Sequence, residues 1–336
     1  SCDEVLYLLQ SISKGNSSTL KPGKENIITA KAEVDDSKKM IRSVIMRQAV
    51  ESEELMLKSV SSAISSLVFL PDGKQFASGD MRGKIRLYDC ATGKEVISFS
   101  GHRDGITSLH FSRDGKYLAS SGLDKTINIW YLGSNTIKSI LRGHTYRVLS
   151  IAFSPNGKYL CSGSVNNSVK IFDVETGKEV KSFQGQMTNP KDYITSFSFS
   201  QNGKFLAAGG TDSIVQFWDL TTGKHSGSLK GHSSAVYSVA FSSDPKIFAS
   251  AAFDGSIKIW DLTNGHEINS MNRNTGAIYA LSFSPNGKNL CSGSTDNSVK
   301  IWNVENGIQI DSLKGHNHDI SSVAFSPNGK YLISGD

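Results

Sequence analysis

From about residue 60 onward, short segments of alternating apolar and polar residues are separated by turn-forming residues. Residues 235–241, 247–251, 256–261 and 267–271 show this arrangement most clearly, and they are rich in Val, Ile, Phe and Tyr. A period of two residues is typical of a strand with one buried face, and Gly, Asn or Asp between such segments favours a tight hairpin turn. The pattern therefore predicts a unit of four short antiparallel strands.

The four-strand unit recurs along the chain. Its start is marked by a glycine that is usually followed by histidine, and the spacing is 42 residues from Gly101 to Gly143 and again from Gly143 to Gly185. We expect seven units, whose first strands begin near Ala63, Gly105, Arg147, Tyr193, Ala235, Ala277 and Asp319.

The third strand of each unit ends on an aromatic residue that is usually followed by a polar one. Four strands in about 42 residues, with Gly-His near the start and Trp-Asp near the end, resemble the WD-repeat β-propeller family. The resemblance covers about residues 52–336 and implies an all-β fold, a seven-bladed propeller of four-stranded antiparallel blades. The motifs that carry it are Tyr88-Asp89, Trp130-Tyr131, Phe172-Asp173, Trp218-Asp219, Trp260-Asp261 and Trp302-Asn303.

The resemblance implies that a His, a Ser or Thr, an Asp and a Trp of one blade form a hydrogen-bonded chain. A carboxylate that lies nearly buried needs donors for its oxygens, and an imidazole, a hydroxyl and an indole can supply them. Two sets are complete by position, and other blades hold partial sets. The complete sets are His102, Ser120, Asp124, Trp130 and His232, Ser250, Asp254, Trp260; the further members are His144, Ser162, Asp212, Trp218, Ser292, Asp296, Trp302 and His316.

Several units depart from this pattern. The first has Val60, Arg82 and Tyr88 where His, Asp and Trp are expected, and the fourth has Ala208 in place of the Ser. His, Ser and Asp also form the triad of many hydrolases, but a catalytic triad occurs once and needs an oxyanion site beside it. We therefore expect a structural role, and no catalytic, cofactor-binding or metal-binding residues.

One face of the predicted propeller carries the connections from strand d to strand a and from strand b to strand c. The residues expected there are mainly aromatic and apolar, and Tyr and Arg are frequent in binding hot spots. We expect a partner peptide or domain to dock over the central opening, the alternative being that half of these side chains are tucked between blades. The eight residues are Leu123, Arg147, Leu149, Val165, Tyr193, Tyr237, Phe253 and Tyr279.

The opposite face is expected to collect lysines, because the a-to-b and c-to-d turns end in one. The chain has a formal net charge of only +5, and nearby carboxylates offset part of this ring. These lysines either form a merely solvated face, which the small net charge favours, or bind RNA or an anionic membrane. The ten lysines are Lys74, Lys94, Lys116, Lys158, Lys178, Lys204, Lys224, Lys246, Lys288 and Lys330.

The two ends of the chain break the repeat. The seventh unit has strands over 320–325 and 331–334, and the sequence stops before its third strand, so the last blade is expected to be incomplete. A strand over 53–58 is expected to close the ring; either the chain is a fragment, or that strand pairs directly with strand b. Residues 1–51 form a separate extension with a flexible linker over 11–24 and an amphipathic helix over 35–49, which packs on the propeller or serves as a handle for a partner.

The remaining features place the chain in a broad class. It has no apolar run long enough to cross a bilayer, no signal-peptide pattern, and four scattered cysteines without a CxxC pair. We expect an intracellular protein, cytoplasmic or nuclear, that is monomeric within a hetero-complex and acts as a protein-interaction scaffold without a small-molecule substrate. The alternatives are a sensor or docking domain of a larger signalling enzyme, and an RNA-associated propeller that binds through its lysines.

Overall fold

The computed structural model describes residues 44–48, 54–56, 62–185, 189, 191–272 and 274–336. Throughout this part of the chain the regular structure consists of β-strands, which form seven four-stranded antiparallel sheets. The predicted all-β propeller with four-stranded antiparallel blades is confirmed.

Six of the sheets are built from consecutive strands, and each of them is one blade. In each blade the first strand, called a, lies nearest the centre of the ring, and the last, called d, lies at the outside. Blade one contains β3 Ile64–Phe69, β4 Gln75–Asp80, β5 Lys84–Asp89 and β6 Glu95–Ser100. Blade two contains β7 Ile106–Phe111, β8 Tyr117–Gly122, β9 Ile127–Tyr131 and β10 Thr136–Leu141; blade three contains β11 Val148–Phe153, β12 Tyr159–Ser164, β13 Ser168–Asp173 and β14 Glu179–Gln184.

The next three blades follow the same plan. Blade four contains β15 Ile194–Phe199, β16 Phe205–Gly210, β17 Ile214–Asp219 and β18 Lys224–Lys230. Blade five contains β19 Val236–Phe241, β20 Ile247–Ala252, β21 Ile257–Asp261 and β22 His266–Met271, and blade six contains β23 Ile278–Phe283, β24 Asn289–Ser294, β25 Ser298–Asn303 and β26 Gln309–Lys314.

The remaining sheet joins the two ends of the described chain. Strands β27 (Ser322–Phe325) and β28 (Tyr331–Gly335) occupy the a and b positions, β1 (Val44–Gln48) pairs antiparallel with β28, and β2 (Glu54–Met56) pairs with β1. The ladder between β1 and β28 runs from Val44 opposite Gly335 to Gln48 opposite Tyr331. Strands supplied from upstream therefore take the c and d positions of this composite sheet.

This arrangement corrects three expectations. The helix predicted over 35–49 is wrong for residues 44–48, where the backbone pairs with the open edge of β28; its other residues lie outside the described ones, as do the linker over 11–24 and the rest of residues 1–43. Direct pairing of residues 53–58 with strand b is also wrong, since β2 pairs with β1 instead. The boundary at residue 52 therefore does not separate the extension from the propeller. An unpaired strand edge needs backbone partners, and this need outweighs a weak helical pattern.

The hydrophobic core lies between blades rather than inside any one of them. Seven apolar clusters are present, and each combines residues of two neighbouring blades. Leu87 and Phe99 of blade one, for example, pack with Leu109 and Trp130 of blade two. The cluster that contains Ile64 of blade one also contains Ile333 of β28, so the ring of contacts is closed.

Serines link the innermost strands of adjacent blades. The hydroxyl of Ser66 in β3 accepts a hydrogen bond from the backbone N–H of Leu109 in β7, at 2.9 Å. The same link joins Ser238 to Leu281 at 3.1 Å, and it recurs between the composite sheet and blade one, where Leu67 N–H donates to Ser322 at 2.9 Å. The same bond, made between inner strands, thus recurs around the ring.

Candidate functional site

In blade two, the structure brings His102, Ser120, Asp124 and Trp130 into one hydrogen-bonded chain. The indole Nε1 of Trp130 donates to the Ser120 hydroxyl at 2.9 Å, and that hydroxyl lies 2.8 Å from Nε2 of His102. Nδ1 of His102 lies 3.1 Å from the Asp124 carboxylate. Because a carboxylate only accepts, Nδ1 carries the donating proton, and in the neutral ring Nε2 accepts from Ser120. Every polar group of the chain then has a partner.

The Asp124 carboxylate is held in its ionised form. Burial acts to raise its pKa, but hydrogen bonds from the backbone N–H groups of Arg103 and Thr126 and from the Thr126 hydroxyl outweigh burial, and the pKa is lowered. The Ser120 hydroxyl lies in a fully buried residue and already receives the indole N–H. This hydroxyl is therefore not positioned to attack a substrate, although its distances to His102 resemble those of a hydrolase triad.

Blade five repeats the arrangement with one change. Trp260 donates to Ser250 at 2.8 Å, and Ser250 lies 2.7 Å from Nε2 of His232. Nδ1 of His232 lies 2.9 Å from the Ser256 hydroxyl, which in turn donates to Asp254 at 2.6 Å. Burial lowers the pKa of His232, whereas hydrogen bonds from Ser256 and Ser233 outweigh burial at Asp254 and lower its pKa to about 2.

Blade three keeps two members of the set, and blade six keeps three. In blade three, His144 lies 2.7 Å from Ser162 and 3.1 Å from Ser168. Burial, followed by the nearby charge of Lys170, lowers the pKa of His144 to about 4. In blade six, Trp302 donates to Ser292 at 2.9 Å, while Asp296 accepts from the ammonium of Lys300 instead of a histidine.

The other expected members are placed as follows. In the composite sheet, His316 lies 2.7 Å from Ser334, and its Nδ1 lies 3.1 Å from the buried Asp336. In blade four, Asp212 accepts the backbone N–H of Ile214 at 3.2 Å, and Trp218 packs edge-on against His225 with ring centroids 5.9 Å apart.

Blade one contains a buried ion pair that the sequence pattern did not reveal. The guanidinium of Arg86 donates to Asp80 at 2.8 Å, and the two side chains are 2% and 0% exposed. Asp80 also accepts the backbone N–H groups of Arg82 and Lys84. Asp80 lies two residues before the expected Asp position, at Arg82. The available signal was the tripeptide Ser-Gly-Asp, which occurs at 78–80 and again at 334–336.

On the face that carries the d-to-a and b-to-c connections, called the loop face below, a cavity of about 540 Å³ lies over the centre of the ring. Arg147 is exposed there, and the other predicted residues that line the cavity are half-buried: Leu123, Leu149, Val165, Tyr193 and Tyr237. Tyr146, 55% exposed, and Met81, 45% exposed, also line it and were not expected. Six of the eight residues predicted for partner binding line this cavity: Leu123, Arg147, Leu149, Val165, Tyr193 and Tyr237.

The other two predicted residues lie in an adjoining depression of about 480 Å³. Tyr279 stacks edge-on against Tyr237 at 5.0 Å between ring centroids, and Phe253, which is 53% exposed, lies 6.2 Å from Tyr237. Burial raises the pKa of both Tyr237 and Tyr279, so their hydroxyls stay protonated at neutral pH and can donate hydrogen bonds. The depression also contains Asp254 and Asp319. Tyr237 therefore connects two parts of one aromatic surface.

The ten turn lysines all have exposed side chains. One of them, Lys116, lies 3.8 Å from Asp114, an exposed pair of the kind that contributes little to stability. Those ten residues are called the lysine face below: Lys74, Lys94, Lys116, Lys158, Lys178, Lys204, Lys224, Lys246, Lys288 and Lys330.

Within the described residues, no group of three or more His, Cys, Asp or Glu side chains has the arrangement of a metal site. Cys90, Cys161 and Cys291 are buried free thiols. The described part of the chain contains no helix with the length and apolar character that a membrane span requires.

Comparison with known proteins gives a consistent result. The family model described as WD domain, G-beta repeat matches seven successive segments. An uncharacterized WD repeat-containing protein of Nostoc sp. is 42% identical over 43 residues, which are 13% of this chain and 3% of that protein's length. The similarity to this relative therefore spans about one repeat, and the chain covers only a small part of the relative. The segments matched by the family model are 55–89, 93–131, 135–173, 177–219, 223–261, 265–303 and 307–336.

Proposed function

Because the chain belongs to the WD-repeat β-propeller family, whose members generally mediate protein–protein interactions, we propose that it is a scaffold that docks partner proteins on its loop face. The working unit is a seven-bladed ring closed by the composite sheet. It acts without catalysis or cofactor, as one copy within a hetero-complex. An intracellular location, cytoplasmic or nuclear, agrees with the three buried free thiols.

The observation that carries this proposal is the aromatic surface over the central opening. Tyr237 joins the central cavity to the depression that contains Phe253 and Tyr279. Aromatic rings bury a large area at a low cost in side-chain entropy, and the neighbouring Arg147 offers a charged donor. A cavity of about 540 Å³ can accept one or two anchor side chains of a partner.

The test is affinity capture from the native cell, with the wild-type chain compared with Tyr237→Ala and Tyr279→Ala. We expect each change to weaken capture of the main partner by about tenfold or more, as for a hot-spot residue. Ile310→Ala is a matched control, because Ile310 is 41% exposed on outer strand β26, far from the loop face. Full retention of every partner by both tyrosine variants contradicts the proposal.

Two other functions remain alternatives. The propeller is a sensor or docking domain of a larger signalling enzyme if the natural protein carries a catalytic domain in the same chain, which sequencing of the full transcript tests. It is an RNA-binding propeller if RNA binding falls steeply with salt and is lost when lysines of the lysine face are changed to glutamine. The even spread of exposed lysines favours the second alternative, and the adjacent carboxylates weigh against it.

A further inference from the structure

A second apolar cavity, of about 490 Å³, lies between blades four and five, on the side of the lysine face. Its wall contains Phe217 and Phe241, whose ring centroids are 6.2 Å apart, and Phe205, which is 37% exposed. Leu262 and Pro245 of blade five complete the apolar lining. The volume falls within the roughly 300–1,000 Å³ that is typical of ligand pockets.

Outer strand β18, which lines this cavity, has a glycine where other outer strands have a side chain. In blade three the equivalent residue is Lys181, whose ammonium lies 3.5 Å from the Leu220 carbonyl of the next blade. In blade five it is Asn269, which donates to the carbonyl of Val304 at 3.1 Å. In each case the side chain reaches the next c-to-d turn, although a cavity of about 590 Å³ lined by Lys181 remains between blades three and four.

Blade four leaves this gap open. A Cβ atom placed on Gly227 would meet no heavy atom within 4 Å, and Gly227 itself lines the cavity. The neighbours of Gly227 in β18 are the small residues Ser226 and Ser228. No bulky side chain therefore covers this part of the strand or the aromatic wall behind it.

The backbone of β18 is itself available for pairing. Strand β18 is the outer strand of its sheet and pairs with β17 on one side only. The outer edge of a strand presents unpaired N–H and C=O groups, which can bind an extended peptide by adding a further strand. Side chains of such a peptide point alternately to the two faces, so that one in every two is directed toward the cavity.

The charges around the cavity indicate what the peptide contains. Three exposed lysines adjoin the lining in sequence and form its rim: Lys204 precedes Phe205, Lys246 follows Pro245, and Lys224 begins β18. Within the described residues, none of the three lies within 4.0 Å of a carboxylate. The neighbouring carboxylates of Asp219 and Asp261 already accept hydrogen bonds inside their own turns, from Thr and Asn donors. The charges of Lys204 and Lys246 also help to lower the pKa values of Asp219 and Asp261, so these two ammonium groups are partly offset. Lys224, in β18 itself, contributes to neither shift and is the rim charge most available to a ligand.

We propose that the groove between blades four and five binds an extended, acidic segment of a partner protein, which pairs with β18 and inserts one aromatic or large aliphatic side chain into the cavity. The lysines of the rim contact the acidic residues on either side of that side chain. This site is separate from the loop face and does not depend on the function proposed for that face.

An array of nine-residue peptides with randomised spacer positions tests the proposal on the full chain. One class has a central Phe or Leu flanked by Asp and Glu, the second replaces the central residue with Ser, and the third replaces the acidic flanks with Lys. We expect the first class to be retained at least about tenfold more strongly than either other class, as expected when one buried anchor side chain supplies most of the binding energy. Equal retention of the three classes overturns the proposal.

Variants locate the binding. Gly227→Leu fills the cavity and should reduce retention of the first class to that of the second. Because Gly227 has a positive φ and a side chain there also restricts the backbone, Phe205→Ser, which removes part of the exposed wall, is the second variant, and thermal unfolding checks that each variant is folded. Tyr237→Ala and Ile310→Ser should bind as the wild type does. Unchanged retention by folded Gly227→Leu and Phe205→Ser overturns the proposal, whatever the outcome for the loop face.

Discussion

Blade two and blade one solve the same packing problem with different chemistry. In blade two, Trp130 and Asp124 are connected through a serine and a histidine, and the Asp124 carboxylate keeps partial contact with solvent. In blade one, Asp80 and Arg86 form an ion pair in which both side chains are almost completely buried. A blade can therefore pair its buried carboxylate with different sets of residues and does not require one particular set.

The two solutions differ in what happens when one member is lost. Removal of one partner of a buried ion pair leaves a charge without compensation, whereas loss of a neutral hydroxyl leaves only unpaired dipoles. The four predictions that follow, ordered by expected size, test this difference through the free energy of unfolding.

The largest effect is expected for Asp80→Ala, because it leaves the Arg86 guanidinium buried with only Glu95 nearby, at 3.6 Å. The expected loss of stability is about 3–5 kcal/mol, measured by urea unfolding at neutral pH. The double variant Asp80→Ala with Arg86→Leu removes the charge and should recover most of that loss. A loss below about 1 kcal/mol for the single variant would mean that blade one does not depend on the pair.

The second effect concerns blade three, where the histidine has no adjacent carboxylate. Burial lowers the pKa of His144 from 6.5 to about 4. The unfolded state then binds the proton more readily, so stability is fully present above about pH 6.5, falls as the pH decreases, and levels off below about pH 4. At 1.36 kcal/mol per pH unit this amounts to roughly 3 kcal/mol.

Urea unfolding at several pH values between 6.5 and 4 measures this slope. His144→Gln should reduce the slope but not abolish it, because burial also lowers the pKa values of His110 and His232, which keep contributing in this range. Asp254 and Asp296, with pKa values of about 2, lose their contribution only below the ordinary Asp value of 3.8. An unchanged slope in His144→Gln would show that another group titrates.

A third, smaller effect compares one position in the two blades. Ser120→Ala in blade two removes the partner of both Trp130 and His102, and we expect a loss of about 2 kcal/mol in thermal or urea unfolding. Ser78→Ala in blade one is the matched control, since the buried Ser78 hydroxyl has no hydrogen-bond partner among the described residues, and its removal should cost less than about 1 kcal/mol. Equal losses would contradict the hydrogen-bonded chain as the source of stability.

The smallest effect is expected for an ion pair near the surface of blade five. Lys258 lies 2.5 Å from Glu267, whose side chain is 34% exposed. Glu267→Gln should cost less than about 1 kcal/mol, because the Gln amide oxygen can still accept a hydrogen bond from the Lys258 ammonium, whose side chain is 13% exposed. A loss above about 2 kcal/mol in urea unfolding would mean that this partly exposed pair contributes as much stability as the buried pair of Asp80 and Arg86.

Much of the fold is visible in the sequence because it is repeated. The period of 42 residues, the alternation within strands and the turn glycines are local signals, and each copy supports the others. The cluster of aromatic residues around Tyr237 also followed from strand order, since residues after each Gly-His motif must reach the same face. Side chains at equivalent positions share an environment, so the pattern predicts where they lie.

The features that the sequence did not reveal depend on contacts between distant segments. Pairing of β1 with β28 joins residues almost at opposite ends of the described chain, and residues 44–48 fit a helical pattern as well as a strand until the edge of β28 is known. The ion pair of Asp80 with Arg86 uses positions that are Gly122 and Asn128 in blade two, so no motif marks it. The cavity beside Gly227 is bounded by residues of two blades, so it becomes visible only once the neighbouring blade is in place.

The serine links between inner strands also bear on how such a chain can change over evolutionary time. Six of these strands present a serine hydroxyl that accepts a backbone N–H of the next inner strand, as between Ser66 and Leu109, and in blade two the acceptor is Nδ1 of His110. Neighbouring units are therefore joined by nearly interchangeable connectors, and a unit duplicated or exchanged by recombination would find a compatible neighbour on either side. Selection can then act on the loops of a single unit while the junctions are preserved.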